Sequence, residues 1–106
     1  MSPKVSPPAP CYIVVQIEVV DSDGYQTYLD AVRPVVADYG YTLLVSSRSE
    51  PELLEGSWDP GRVIVMQFEN RAVATAMTQD ERWKYASRLR HGCTRTNMIM
   101  VEGMPI

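Results

Sequence analysis

Nine consecutive residues, Tyr12 to Val20 (YIVVQIEVV), constrain the fold of this chain more than any other stretch. The odd positions Ile13, Val15, Ile17 and Val19 are all aliphatic, so one face of a strand here is fully buried. The even positions mix Tyr12, Val14 and Val20 with Gln16 and Glu18, so the other face is only partly covered. A strand of this kind belongs in the middle of a sheet that has one packed side and one barer side.

The segments that follow supply the rest of that sheet and its cover. Asp21-Ser22-Asp23-Gly24 offers helix-capping chemistry, in which a short side-chain oxygen accepts from an orphan N–H. Tyr25, Tyr28, Leu29, Val32, Val35 or Val36, and Tyr39 then recur at helical spacing. Pro34 predicts a kink in this helix rather than its end, and Gly40 is placed to stop it. Residues 41–48 (YTLLVSSR) read as a second strand. Residues 49–61, with two prolines, two glycines and four acids, read as a long connection, and residues 62–68 (RVIVMQF) as a third strand. A second helical pattern runs from Asn70 to about Leu89, with Val73, Ala76 and Met77 before an expected break near residues 78–80. Trp83, Ala86 and Leu89 follow the break, and residues 96–101 (TNMIMV) form a fourth strand.

The order β-α-β-β-α-β is that of a ferredoxin-like α+β fold, with both helical segments on one face of a four-stranded antiparallel sheet. Residues 11–106 then make a single domain, since 106 residues is one domain's worth of chain. Residues 1–10 hold four of the eight prolines and are expected to form a flexible arm. The opposite sheet face is left bare, and its apolar content predicts a partner, namely a second copy stacked sheet on sheet as a homodimer.

Composition narrows the function classes. With 45% hydrophobic and 22% charged residues the chain is an ordinary globular one. A net charge of −3 argues against a nucleic-acid partner, because phosphate binding needs a concentrated positive field. No run approaches the ~20 apolar residues of a membrane span, and the N-terminal residues lack the apolar middle of a signal peptide. A cytoplasmic protein without a membrane partner is expected. Cys11 and Cys93 each adjoin a predicted strand and are expected to be free thiols.

The sequence resembles the family known as domain of unknown function 1330, within the dimeric α+β barrel superfamily. The resemblance runs from residue 12 to residue 103. It is carried by Tyr12, Asp21, Tyr25 and Tyr28, Tyr39-Gly40, and the string Leu54-Glu55-Gly56-Ser57-Trp58 with Pro60. Arg62 to Phe68, Ala74, Arg90 and Val101-Glu102-Gly103 complete it. Two departures stand out. The family's Arg-Gly-Gly after the second strand is Ser46-Ser47-Arg48 here. Its Trp-Tyr-x-Ser-Pro-Glu-Tyr on the second helix is Met77-Thr78-Gln79-Asp80-Glu81-Arg82-Trp83, with only the last aromatic kept. The resemblance implies a cavity between sheet and helices, and the departures imply that its lining is remodelled.

Several residues are candidates for chemistry there. His91, the only histidine, is the residue type best suited to proton transfer at neutral pH. Its place in Arg90-His91-Gly92-Cys93 also suits a cation at a helix C-terminus. Asp80 reads as a helix N-cap or as a general base with a raised pKa in an apolar cavity. Arg62 reads as an ion-pair partner of Glu55 or as an anion or enolate clamp at the cavity mouth. Tyr28 and Trp83 are placed on the cavity wall, and Trp58 and Met77 join them as substrate contacts. Gln16, Glu18 and Gln67 suggest a polar network at the dimer seam.

No phosphate-binding glycine loop, Rossmann fingerprint or nucleophile elbow is present. One histidine without a Glu or Cys at ligand spacing makes no metal site, and an axial haem ligand at a helix end is a poor fit. No cofactor and no metal are expected. The resemblance therefore implies a cofactor-independent enzyme of isomerase, cyclase or oxygenase type, acting on an apolar or polyketide-like metabolite in specialised metabolism. Asp80, His91 and Arg62 would be its catalytic set. The alternative is a non-catalytic, small-molecule-binding accessory dimer.

Overall fold

A computed structural model describes residues 9–47 and 50–105. Most of the proposed N-terminal arm, and Arg48, lie outside the described residues. The element order is β1 (Cys11–Val19), α1 (Ser22–Asp38), β2 (Thr42–Ser46), β3 (Arg62–Phe68), α2 (Arg71–Gln79), α3 (Glu81–Cys93) and β4 (Thr94–Glu102). The strands form one antiparallel sheet in the order β2-β3-β1-β4, the ferredoxin-like arrangement.

The alternation along β1 sets the two faces. Cys11, Ile13, Val15 and Ile17 are buried against the helices, and their cross-strand partners Met66, Ile64, Met100 and Met98 share that side. Tyr12, Val14 and Gln16 point to the other side, with Val65, Val63, Ile99 and Asn97 beside them. Among the described residues no helix covers this second side, as the alternation predicts.

The first helix runs through Pro34 without ending. The proline is exposed, so the carbonyl its ring leaves unbonded faces water. Asp21 is the N-cap and accepts from the Asp23 N–H at 3.2 Å. At the other end Gly40 takes φ +67°, a left-handed conformation that glycine adopts without Cβ strain. Strand β2 pairs with β3 out of step at one point, where Leu44 is an extra residue between the Leu43 and Val45 pairings.

The second helical segment is two helices, α2 and α3, meeting at Asp80. Asp80 takes the N-cap role of α3 and lies outside the lining of the cavity described below. Its Oδ1 accepts from the Arg82 N–H at 2.9 Å and its Oδ2 accepts from Arg82 Nη2 at 2.9 Å. The Tyr39 hydroxyl donates to Oδ2 at 3.0 Å, and Arg82 Nη1 also pairs with Asp38 at 2.7 Å. The side-chain and backbone bonds from Arg82 come first among the causes that hold the Asp80 carboxyl far below the usual carboxylate range. This is the reverse of the raised pKa that a base in an apolar cavity needs. The four groups clamp the end of α1 to the α2–α3 corner.

Met77 is also placed differently from its expected role. It is fully buried in the core with Phe68, Ala74 and Ala86, and it does not line the cavity described below.

Two predictions follow from this packing. Met77→Ala should lower unfolding free energy by about 2–5 kcal/mol in denaturant titration without any ligand present, as expected of a core methionine. Asp80→Asn should lower Tm at pH 7. A depressed native pKa contributes its full stability above the unfolded value near ~4 and loses it progressively as pH falls from there toward the lower native value, so the Tm gap to wild type should narrow on acidification.

Candidate functional site

A cavity of about 250 Å³ lies between α1 and the sheet. Its floor is the helix-facing row of the strands, with Val15 and Ile17 from β1, Ile64 and Met66 from β3, and Met98 from β4. Its roof is α1, through Tyr25, Tyr28, Leu29, Val32, Arg33 and Val36. Tyr41, Leu43 and Ser46 close one side at the β2 edge, and Trp83 of α3 closes another. Ala74 of α2 and Ala86 of α3 are fully buried in the core, and α3 packs chiefly against α1. The open space lies beneath α1, with the Tyr25 and Tyr28 side chains along it.

The polar groups gather at one end. Arg62 opens β3 directly after Gly61, whose φ is +65° and whose absent Cβ would stand 2.8 Å from the Ile17 carbonyl oxygen. Only glycine lets the chain turn so close to β1 there. The Arg62 register opposite Ile17 then directs the guanidinium to the helix side. Arg33 reaches the same cavity from α1, and the charges of both arginines act on the Tyr25 phenol. Burial pushes the Tyr25 phenol above its ordinary pKa, Tyr28 adds to this, and the two arginines pull only part of the way back. Tyr25 is therefore a neutral hydroxyl donor at pH 7. Its ring lies 5.8 Å from that of Tyr28, tilted by 34°.

Among the described residues no carboxylate and no imidazole line this cavity. Among the described residues no three His, Cys, Asp or Glu side chains cluster as metal ligands. The site can hold an anion, or an oxygen that is gaining negative charge, at the arginine end and an apolar body along the rest.

The residues singled out from sequence divide clearly. Arg62, Tyr28 and Trp83 line the cavity. Arg62 makes no ion pair with Glu55 among the described residues, although it is exposed and also borders a second groove with Ser47 and Glu50 of the connection. Asp80 and Met77 stand outside the lining, as described above. His91 is exposed in the last turn of α3, where a basic residue faces the unpaired carbonyls of the helix end, and it does not reach the cavity. Trp58 is on the wrong side of the sheet. It is 57% exposed and borders a shallow groove on the bare face with Val14, Gln16, Val63, Asn97 and Ile99. Gln16 holds its loop there, donating from Nε2 to the Asp59 carbonyl at 3.2 Å while accepting from Asn97 at 3.3 Å.

Tyr25, Arg33 and Tyr41 were not marked as site residues by the sequence. A signal existed for the first two. Tyr25 begins the helical stripe, and Arg33 lies four residues after Leu29 and three before Val36, on the stripe's border. For Tyr41 the periodicity carries no such mark.

The fold has solved counterparts. A protein of unknown function from Rhodopseudomonas palustris superposes with a TM-score of 0.74 at 15% identity, over 92% of this chain and 85% of that one. A dimeric ferredoxin-like protein from Thermobifida fusca gives 0.59 at 11% identity, over 92% of each chain. An antibiotic biosynthesis monooxygenase gives 0.50 at 14% identity, over 91% of this chain and 98% of the other. At these identities the likeness is one of fold. No curated protein matches the chain. No helix among the described residues is long and apolar enough to cross a membrane. The sequence pattern of one family matches residues 10–104, nearly the whole length, and the chain belongs to that family, Domain of unknown function (DUF1330).

Proposed function

We propose that this chain is a small-molecule enzyme that needs no cofactor, of isomerase, cyclase or oxygenase type, acting on an apolar polycarbonyl metabolite. The observation that carries this reading is the convergence of Tyr25, Arg33 and Arg62 on one end of an otherwise apolar cavity. A C–H between two carbonyls is acidic, so such a substrate can arrive as its enolate and asks no base of the protein. The two guanidiniums hold the enolate oxygens, the neutral Tyr25 hydroxyl returns a proton to carbon, and solvent reprotonates the phenolate. Tyr28 and Trp83 hold the apolar body against the sheet. The fold likeness to an antibiotic biosynthesis monooxygenase supports a place in specialised metabolism. A second reading, a non-catalytic binding protein, is favoured by the lack of any carboxylate or imidazole in the lining.

Deuterium exchange at the central carbon of benzoylacetone, followed by NMR, separates the two. The wild-type chain should accelerate it. Tyr25→Phe should slow the accelerated rate by about 10²-fold or more, and Arg62→Gln by about 10²–10³-fold. Binding without acceleration by the wild type would select the non-catalytic reading, and full rates in both variants would remove these residues from the mechanism.

The working unit in this proposal is a homodimer joined through the bare sheet face. Val14, Val63, Ile99 and Trp58 give that face an apolar surface that a monomer does not normally leave in water, and the Thermobifida fusca relative in fold is described as dimeric. Light scattering should give twice the 11.9 kDa chain mass. Ile99→Asp should return it to the single-chain value with the circular dichroism spectrum retained.

A further inference from the structure

One buried cation has no part in the scheme above. Arg90, near the end of α3, is only 6% exposed, yet no described residue accepts a hydrogen bond from its Nε or Nη1. It takes part in none of the ion pairs among the described residues. A guanidinium stays protonated inside proteins, and a buried charge without hydrogen-bond partners is among the costliest groups a core can hold.

What Arg90 does have is two aromatic faces. Its Cζ lies 5.6 Å from the centroid of Tyr28 and 5.7 Å from that of Trp83. These rings offset the charge through their electron-rich faces, but they do not accept from the in-plane N–H groups. Both rings are also cavity wall, although Arg90 itself does not border the open space. The unmet donors thus stand immediately behind the wall of a chamber whose own charged groups are two more arginines, Arg33 and Arg62.

We infer that Arg90 is an anion receptor of this cavity, and that the ligand is an aromatic or similarly apolar body carrying a carboxylate or another planar oxyanion. The inference rests on the cavity of the proposed function and names the class of molecule that occupies it. The oxyanion parts the Tyr28 and Trp83 rings to reach the seam behind them, where it accepts from the unmet N–H groups of Arg90. The ring body lies along Val32, Ile64 and Met98. The clustering of three arginines around two tyrosines and a tryptophan selects acids over neutral isosteres, because a neutral amide cannot compensate the buried charge.

Calorimetric titration with 2-naphthoate and 2-naphthamide tests this. A Trp58→Phe background leaves Trp83 as the sole tryptophan, and quenching of its fluorescence locates the probes in the cavity. The unmodified site should prefer the acid. Arg90→Met should weaken naphthoate by about tenfold or more and leave naphthamide within about twofold. Arg90→Lys, which keeps the charge but not the planar fork, should fall between, and it carries the test if Arg90→Met does not fold. An unchanged naphthoate affinity would assign the anion to Arg33 and Arg62 and overturn the inference. An equal loss of both probes would also overturn it, leaving Arg90 as a prop for the rings. If neither probe quenches Trp83 in the unmodified site, the cavity reading itself fails, and the inference falls with it.

Discussion

The alternation of β1 between its two neighbours is the constraint on which the rest of the molecule depends. Seven residues of β1 pair with β3 and nine with β4, so the strand cannot slip in register without breaking both ladders. A slip of one residue would turn Ile13, Val15 and Ile17 to the open face and bring Gln16 and Glu18 under the helices. The same register places Arg62 opposite Ile17 and so delivers a cation to the cavity. Core, bare face and candidate site are three readings of one alignment.

The helical layer is held by a different kind of interaction. The Asp80, Arg82, Asp38 and Tyr39 cluster is polar and largely at the surface, and individually such pairs contribute little. Its importance is positional. Asp80 stops α2 and starts α3, and in doing so it fixes the rotation at which Trp83, three residues later, meets the cavity. The uneven contact of the helices with the sheet completes the arrangement. The α3 helix packs chiefly on α1, and the cavity separates α1 from the sheet.

Much of this was legible in the sequence and some of it was not, for physical reasons. Period-two and period-3.6 patterns report which side of an element is buried, so the strands and the break at Asp80 could be read directly, and with the cavity implied by the family resemblance Tyr28 and Trp83 could be placed on its wall. Arg62 could be read because it opens an otherwise apolar strand. Patterns say nothing about where a loop crosses. Trp58 sits in a segment without periodicity, and only the Gln16 bond to the Asp59 carbonyl puts it on the bare face. Asp80 was ambiguous because capping and catalysis want the same short carboxylate. The difference lay in Arg82 and Tyr39, one of them distant in sequence. Arg90 was visible only as a residue shared with the family, since its burial depends on rings from two helices.

The extra residue at Leu44 has a consequence for the protein in crowded solution. Leu43, Leu44 and Val45 form an exposed aliphatic run on the outermost strand, the composition that recruits foreign strands and seeds fibres. Because the ladder skips at Leu44, the outward N–H and C=O groups lose the even repeat that an incoming chain must match. The irregularity works as a gatekeeper, allowing a greasy rim beside the cavity while denying it to polymerisation.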